Sequence, residues 1–171
     1  MSDADNTGAP QPVLHLSRGE KRSAARLSAV QALYQMDLTG KGVKEVFAEF
    51  ETFWIGREIE GDQYKPAERG LFRAIIQGVL AHQVTLDRTA DRILSDSWPL
   101  KRVEALMRAV LRAGAFELTH AKDVPVKVVV SEYVDIAASF LDKDEVGMVN
   151  AVLDKLARET RGSELDKARE G

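Results

Sequence analysis

Apolar residues return at helical spacing in seven stretches of this 171-residue chain, and nowhere do they alternate over the length of a strand. The first stretch runs from about Gly19 to Leu38 and stops at Thr39-Gly40-Lys41-Gly42, where paired glycines break helical order. The second places Val43, Val46, Phe47, Phe50 and Trp54 on one face, and a polar loop from Glu58 to Lys65 follows. Pro66 suits the first turn of a third helix with Phe72, Ile75, Ile76, Val79 and Leu80 inward. A short fourth carries Leu86, Ala90, Ile93 and Leu94. Ser97-Trp98-Pro99 opens the fifth, with Leu100, Val103, Met107, Val110, Leu111, Gly114 and Leu118 inward and Lys101, Arg108 and Arg112 opposite.

At Pro125 local propensity and pattern disagree. Val126-Lys127-Val128-Val129-Val130 is a β-branched run that would suit a strand. The continuation through Tyr133, Ile136, Ala137 and Phe140 nevertheless keeps helical spacing, and one isolated strand would have no partner, so a sixth helix is expected. The seventh follows Asp142-Lys143-Asp144, with Asp144 as its expected N-cap and Val146, Val149, Val152, Leu153 and Leu156 inward. Short connections between amphipathic helices predict an all-α fold of about seven helices in compact bundles, as one domain or as two small helical subdomains sharing a core. Residues 1–16, with Gly8, Pro10 and Pro12, and the polar residues 162–171 are expected as disordered tails.

Charge changes the picture more than composition does. The chain carries −3 overall, yet residues 15–26 hold Arg18, Lys21, Arg22 and Arg26 against the single acid Glu20, making this stretch +3 and the remainder −6. On a helix Arg18, Arg22 and Arg26 are each rotated only about 40° from the last, so they form one stripe able to follow phosphates. A soluble helix also needs charges on its solvent face, which is the plainer reading of any basic run. Tyr34, two turns beyond Arg26, is either a base-stacking ring beside the basic track or a core tyrosine in line with Leu27, Val30 and Leu38.

Catalytic chemistry finds little support. There is no cysteine, which removes disulfides, thiolate metal sites and a cysteine nucleophile. No glycine-rich phosphate loop and no Gly-x-Ser-x-Gly elbow occur. Glu117 and His120 have the Glu-x-x-His spacing of di-iron bundles, but neither His15 nor His82 supplies the second copy, so no metal site is expected. Glu58, Glu60 and Asp62 sit in a polar loop with nothing to desolvate them, and they read as solvated charge. With no signal peptide and no apolar run near the roughly 20 residues of a membrane span, a non-enzymatic, cofactor-free cytoplasmic protein is expected.

The run ending in Ala29-Val30-Gln31-Ala32-Leu33-Tyr34 resembles the opening of the NusB family of transcription antitermination factors, where arginines precede an A-x-Q-A-L-Y signature. Val110-Leu111-Arg112 through Phe116-Glu117-Leu118 is similar to the family's leucine-arginine helix ending in aromatic-Glu-Leu. Asp123-Val124-Pro125-Val126-Lys127-Val128 resembles D-V-P-x-x-V, and Ser131-Glu132-Tyr133-Val134-Asp135-Ile136-Ala137 resembles N-E-A-V-E-L-A. Val149 to Lys155 is similar to V-N-G-V-L-D-K.

The resemblance implies two packed helical bundles, about residues 17–95 and 96–161, set against each other, and binding of the boxA element of ribosomal RNA transcripts with NusE, the small-subunit ribosomal protein ten, within an RNA polymerase antitermination complex. Carried over by position, it implies RNA contacts by Lys21, Arg22 and Arg26, with Gln31 and Tyr34 flanking the RNA and Asp144 and Met148 reaching it from the last helix. Arg18 joins this set through its place on the basic stripe. The resemblance leaves open a homodimer that hides the RNA surface. This chain departs from the pattern at Arg22-Ser23-Ala24-Ala25-Arg26, where the family often has consecutive arginines, at Met148 for Phe and at Ala151 for Gly. A helical protein-interaction module without an RNA role is the alternative. Some RNA cytosine methyltransferases carry a NusB-like helical domain as an enzyme accessory, and no α/β catalytic part is expected in this chain.

Overall fold

The computed structural model describes the backbone of residues 18–59, 66–94 and 103–170 and the side chains of 19–52, 68–94 and 103–167. Six helices occupy this backbone, α1 (Arg18–Thr39), α2 (Val43–Ile59), α3 (Pro66–Leu94), α4 (Ala105–His120), α5 (Val126–Phe140) and α6 (Lys143–Glu170), and no strand occurs among the described residues. The third and fourth expected helices are one. Between Val79 and Leu86 the apolar pattern thins, but no glycine or proline interrupts the backbone, so the helix continues while Leu80 and Val84 face outward.

α4 is the centre of the molecule and packs on α1, α3, α5 and α6. Its composition suits that position, since Met107, Val110, Leu111, Ala113, Gly114 and Leu118 are all buried. Gly114 has a local reason: a Cβ there would lie 2.9 Å from a Leu153 methyl, so an alanine would require the Leu153 side chain to shift. α4 thus contacts helices from both sides of the boundary expected at residues 95–96, which itself lies outside the described residues. α2 attaches through Val46, Phe47 and Phe50, with the Phe50 and Phe72 rings 5.0 Å apart. α1 ends at Gly40, whose φ of 72° is open to glycine and whose N–H donates to the Met36 carbonyl at 2.9 Å.

The valine run is helical, as its periodicity requires. Val126 and Val129 are buried with Tyr133, Ile136 and Ala137, and this burial outweighs the β preference of the run. Phe140, counted inward from the same spacing, is instead 50% exposed at the last turn of α5. The N-cap of α6 is Asp142 rather than Asp144: its Oδ1 accepts the Glu145 N–H at 2.9 Å, and Asp144 falls in the first turn. The Glu145 hydrogen bonds lower the Asp142 pKa, while the side-chain bond to Asp142 raises that of Glu145, the two carboxyls sharing one proton-dependent contact.

Residues 162–170, read from their polarity as part of a tail, continue α6 beyond a kink at Arg161 (φ −137°, ψ 31°). Arg161 is buried and donates through Nη2 to the Val124 carbonyl at 2.6 Å and the Lys122 carbonyl at 3.1 Å, and through Nε to Glu164 at 2.8 Å. Glu164 in turn accepts the Val126 N–H at 3.1 Å, which caps α5 and lowers the Glu164 pKa together with Arg161. Composition alone could not show that a polar segment has these partners. Arg161→Ala is expected to cost about 2–3 kcal/mol through its charged hydrogen bonds. Hydrogen exchange would show it as faster amide exchange beyond residue 161 before global unfolding.

Candidate nucleic-acid interface

α1 presents its basic residues on more than one face. Lys21 and Arg22 are half-buried on the outer part of the helix, and Arg22 forms no ion pair among the described residues. Arg18 begins α1, but its side chain lies outside the described residues. Arg26 is elsewhere. It stands i, i+4 and i+7 with Val30 and Leu33, so it enters the core with the apolar stripe and is only 2% exposed. Arg26 therefore leaves the basic stripe expected to follow phosphates: its guanidinium is buried and does not reach solvent or an RNA strand laid on the surface.

What receives Arg26 is Glu117 of α4, itself 0% exposed. Arg26 Nε donates to Glu117 Oε2 at 2.8 Å and Nη2 to Oε1 at 3.0 Å, a two-pronged pair. Tyr133 of α5 donates its hydroxyl to the same Oε2. Glu132 lies 4.0 Å from Arg26 Nη1, and its other oxygen accepts from Ser23 Oγ at 2.8 Å. Burial opposes the charge on Arg26, but the Glu117 hydrogen bond and the surrounding anionic groups outweigh it, and the pKa is raised. Burial first, and then the Glu117 carboxylate, push the Tyr133 hydroxyl well above its ordinary range, so it stays a donor. Three segments that carry the family resemblance thus converge in one buried network, and Tyr133 stands where the family pattern has Ala.

Sequence held a signal for this pair: a lone Arg on the α1 apolar stripe and a lone Glu on that of α4. Glu117 is buried in this network, while the exposed His120 stacks its ring on His82 at 4.0 Å and on Phe116 at 5.5 Å. Among the described residues no group of three metal-ligating side chains occurs, and Glu60 and Asp62 lie outside them. Partial burial, then the charges of His82 and Lys122, lower the His120 pKa. Its neutral form is favoured by folding, so this contribution is present above the ordinary histidine range and is lost as pH falls through the lowered pKa. Between pH 7.5 and 5.5 wild type is expected to lose more thermal stability than His120→Gln, which paired melting curves would measure.

Several cations elsewhere on the surface are engaged. Arg108 binds Asp37 at 2.8 Å, and Arg112 binds both oxygens of Asp87 at 2.8 Å. Arg92 binds Glu159 at 2.6 Å, and Lys41 binds Glu49 at 2.6 Å. The pairs Arg26–Glu117 and Asp37–Arg108 make α1 and α4 antiparallel, so the basic end of α1 lies at the C-terminal end of α4. Gln31 is exposed, and Tyr34 is half-buried with part of its ring on the core. Asp144 is exposed and Met148 half-buried, lining a cleft of about 280 Å³ with Val103, Glu104 and Met107. This cleft is at the N-terminal end of α4, and at 1.5 Å per residue Met107 and Glu117 are about 15 Å apart along the helix. The candidate residues therefore form two groups, and Phe140, which the sequence reading placed inside, is an exposed ring two residues before the Asp142 cap.

Residues 23–158 match the family model described as the NusB family. The chain belongs to the NusB family. Among NusB relatives, the transcription antitermination protein NusB of Bradyrhizobium diazoefficiens is 56% identical, over 96% of this chain and 99% of its own length. That of Rhodopseudomonas palustris strain HaA2 is 54% identical over 98% and 99%. The solved NusB of T. maritima superposes with a TM-score of 0.71 at 26% identity, covering 85% of this chain and 96% of its own. A NusB crystallised with NusE and double-stranded RNA gives a TM-score of 0.67 at 25% identity, covering 81% and 97%. The all-α NusB fold is common to this chain and these structures.

Proposed function

We propose that this chain is a transcription antitermination factor that binds boxA-type RNA of ribosomal RNA transcripts together with NusE, promoting read-through by RNA polymerase in the cytoplasm. The observation that carries this reading is the near full-length likeness, at 54–56% identity, to proteins named for transcription antitermination. The α1 surface supports it: Lys21 and Arg22 are half-buried at the head of α1, and Arg22 forms no ion pair among the described residues. RNA would enter along the outer face of α1 on Arg18, Lys21 and Arg22, pass Gln31 and the open side of Tyr34, and reach Phe140, Asp144 and Met148. Arg26 supports this path from below by fixing the position of α1.

Asp144, beside phosphate, would weaken binding, and Asp144→Asn is expected to tighten it several-fold by removing like-charge repulsion. Phe140→Ala, at an exposed ring, is expected to weaken it by about 1–3 kcal/mol if a base stacks there. Fluorescence anisotropy of a labelled boxA RNA against a scrambled RNA, with and without NusE, tests the whole reading. Preference for boxA that NusE strengthens supports it. Equal, weak binding to both RNAs would favour a protein-interaction module without an RNA role.

A further inference from the structure

A groove of about 740 Å³ runs between α5 and α6, walled at one end by the segment beyond the Arg161 kink. It is separate from the α1 surface. Glu132 faces α1, and Val130 and Val134, which line the groove, are rotated about 160° from it around α5. The floor is aliphatic, with Val126, Val130 and Val134 from α5 and Leu165 from α6. The rim is acid-rich. Asp135 and Asp166 stand there with Lys127, while Arg158 is already paired with Asp154 at 3.0 Å. Neither Asp135 nor Asp166 forms an ion pair among the described residues.

The shape is that of a helix seat. Lining positions 127, 130, 131, 134 and 135 recur at threes and fours on α5, and 150, 154 and 158 at fours on α6. Two such ridges leave a valley that a third helix fills. From Asn150 to Asp166 it extends for up to about 24 Å at 1.5 Å per residue. Rim carboxylates without partners repel phosphate and attract Lys or Arg, and an aliphatic floor desolvates side chains, not nucleotides. We propose that this groove docks an amphipathic helix of a partner protein, with aliphatic side chains on the valine floor and Lys or Arg on Asp135 and Asp166. The partner would bind while RNA occupies α1.

The test uses the full chain and a fluorescein-labelled helical peptide of about 16 residues, cut to the groove length at 1.5 Å per residue, with leucines along one face and flanking lysines. A twin peptide carries glutamates in place of the lysines, and a labelled RNA is the third probe. Saturable binding of the lysine peptide is expected, weakened about tenfold by Asp135→Lys with Asp166→Lys, as two rim pairs allow. Val134→Glu is expected to abolish it, while the glutamate peptide gains on the charge-reversed variant. Equal binding of both peptides, binding indifferent to these variants, or RNA that docks through Asp135 would overturn the proposal. Should Val134→Glu unfold, as circular dichroism would reveal, the two exposed aspartates still carry the test. boxA binding through α1 is read separately, so either proposal can fail without the other.

Discussion

Glu117→Ala is expected to destabilise the protein by about 3–5 kcal/mol, because it leaves the Arg26 charge buried without a partner. The same change removes the acceptor of the Tyr133 hydroxyl, so two donors that meet Glu117 lose it together. Arg26→Ala should have an effect of similar size by stranding the carboxylate. Replacing both, as Arg26→Met with Glu117→Leu, is expected to cost much less than either single change, since a buried pair roughly breaks even against apolar residues of like volume. Chemical denaturation of the four proteins measures this. If Arg26→Ala leaves stability unchanged while weakening RNA binding, the buried pair is not what holds α1.

Lys21→Ala with Arg22→Ala should do the reverse, leaving the unfolding free energy within about 1 kcal/mol of wild type, about 0.5 for each substitution outside the core. RNA affinity is expected to fall about tenfold or more, and the slope of log affinity against log salt to shrink by about 1.4, two single-strand phosphate contacts at roughly 0.7 each. A salt series of boxA anisotropy titrations on wild type and variant reads both quantities. An unchanged slope would remove these side chains from the RNA contact. The contrast with Arg26, four residues beyond Arg22, is the point: neighbours in one basic run act on different properties.

Much of the fold was readable because burial repeats every third or fourth residue. Val129, Tyr133, Ile136 and Ala137 announced α5 against the β preference of its valines, and Ile75, Ile76 and Val79 announced α3. The errors fall where a local rule had no view of a neighbour. Leu80 and Phe140 keep the apolar spacing but lie at the edge of their stripes, exposed among the described residues. Asp142 and Asp144 are both good caps by residue type, and only the path of the chain selects the first.

The sequence determined the all-helical class, the near-continuous apolar stripes, the absence of thiol chemistry and the concentration of positive charge at the head of α1. Each follows from residue types and their spacing along one element. Tertiary structure alone decided which of those charges meets solvent. Whether an arginine binds phosphate or a buried carboxylate depends on what stands opposite it, and Glu117 is separated from Arg26 by 91 positions in the chain. The same holds for Arg161, which turns a polar ending into an anchored helix, and for the α5–α6 groove, whose walls come from two helices whose faces no single stretch of sequence can set side by side.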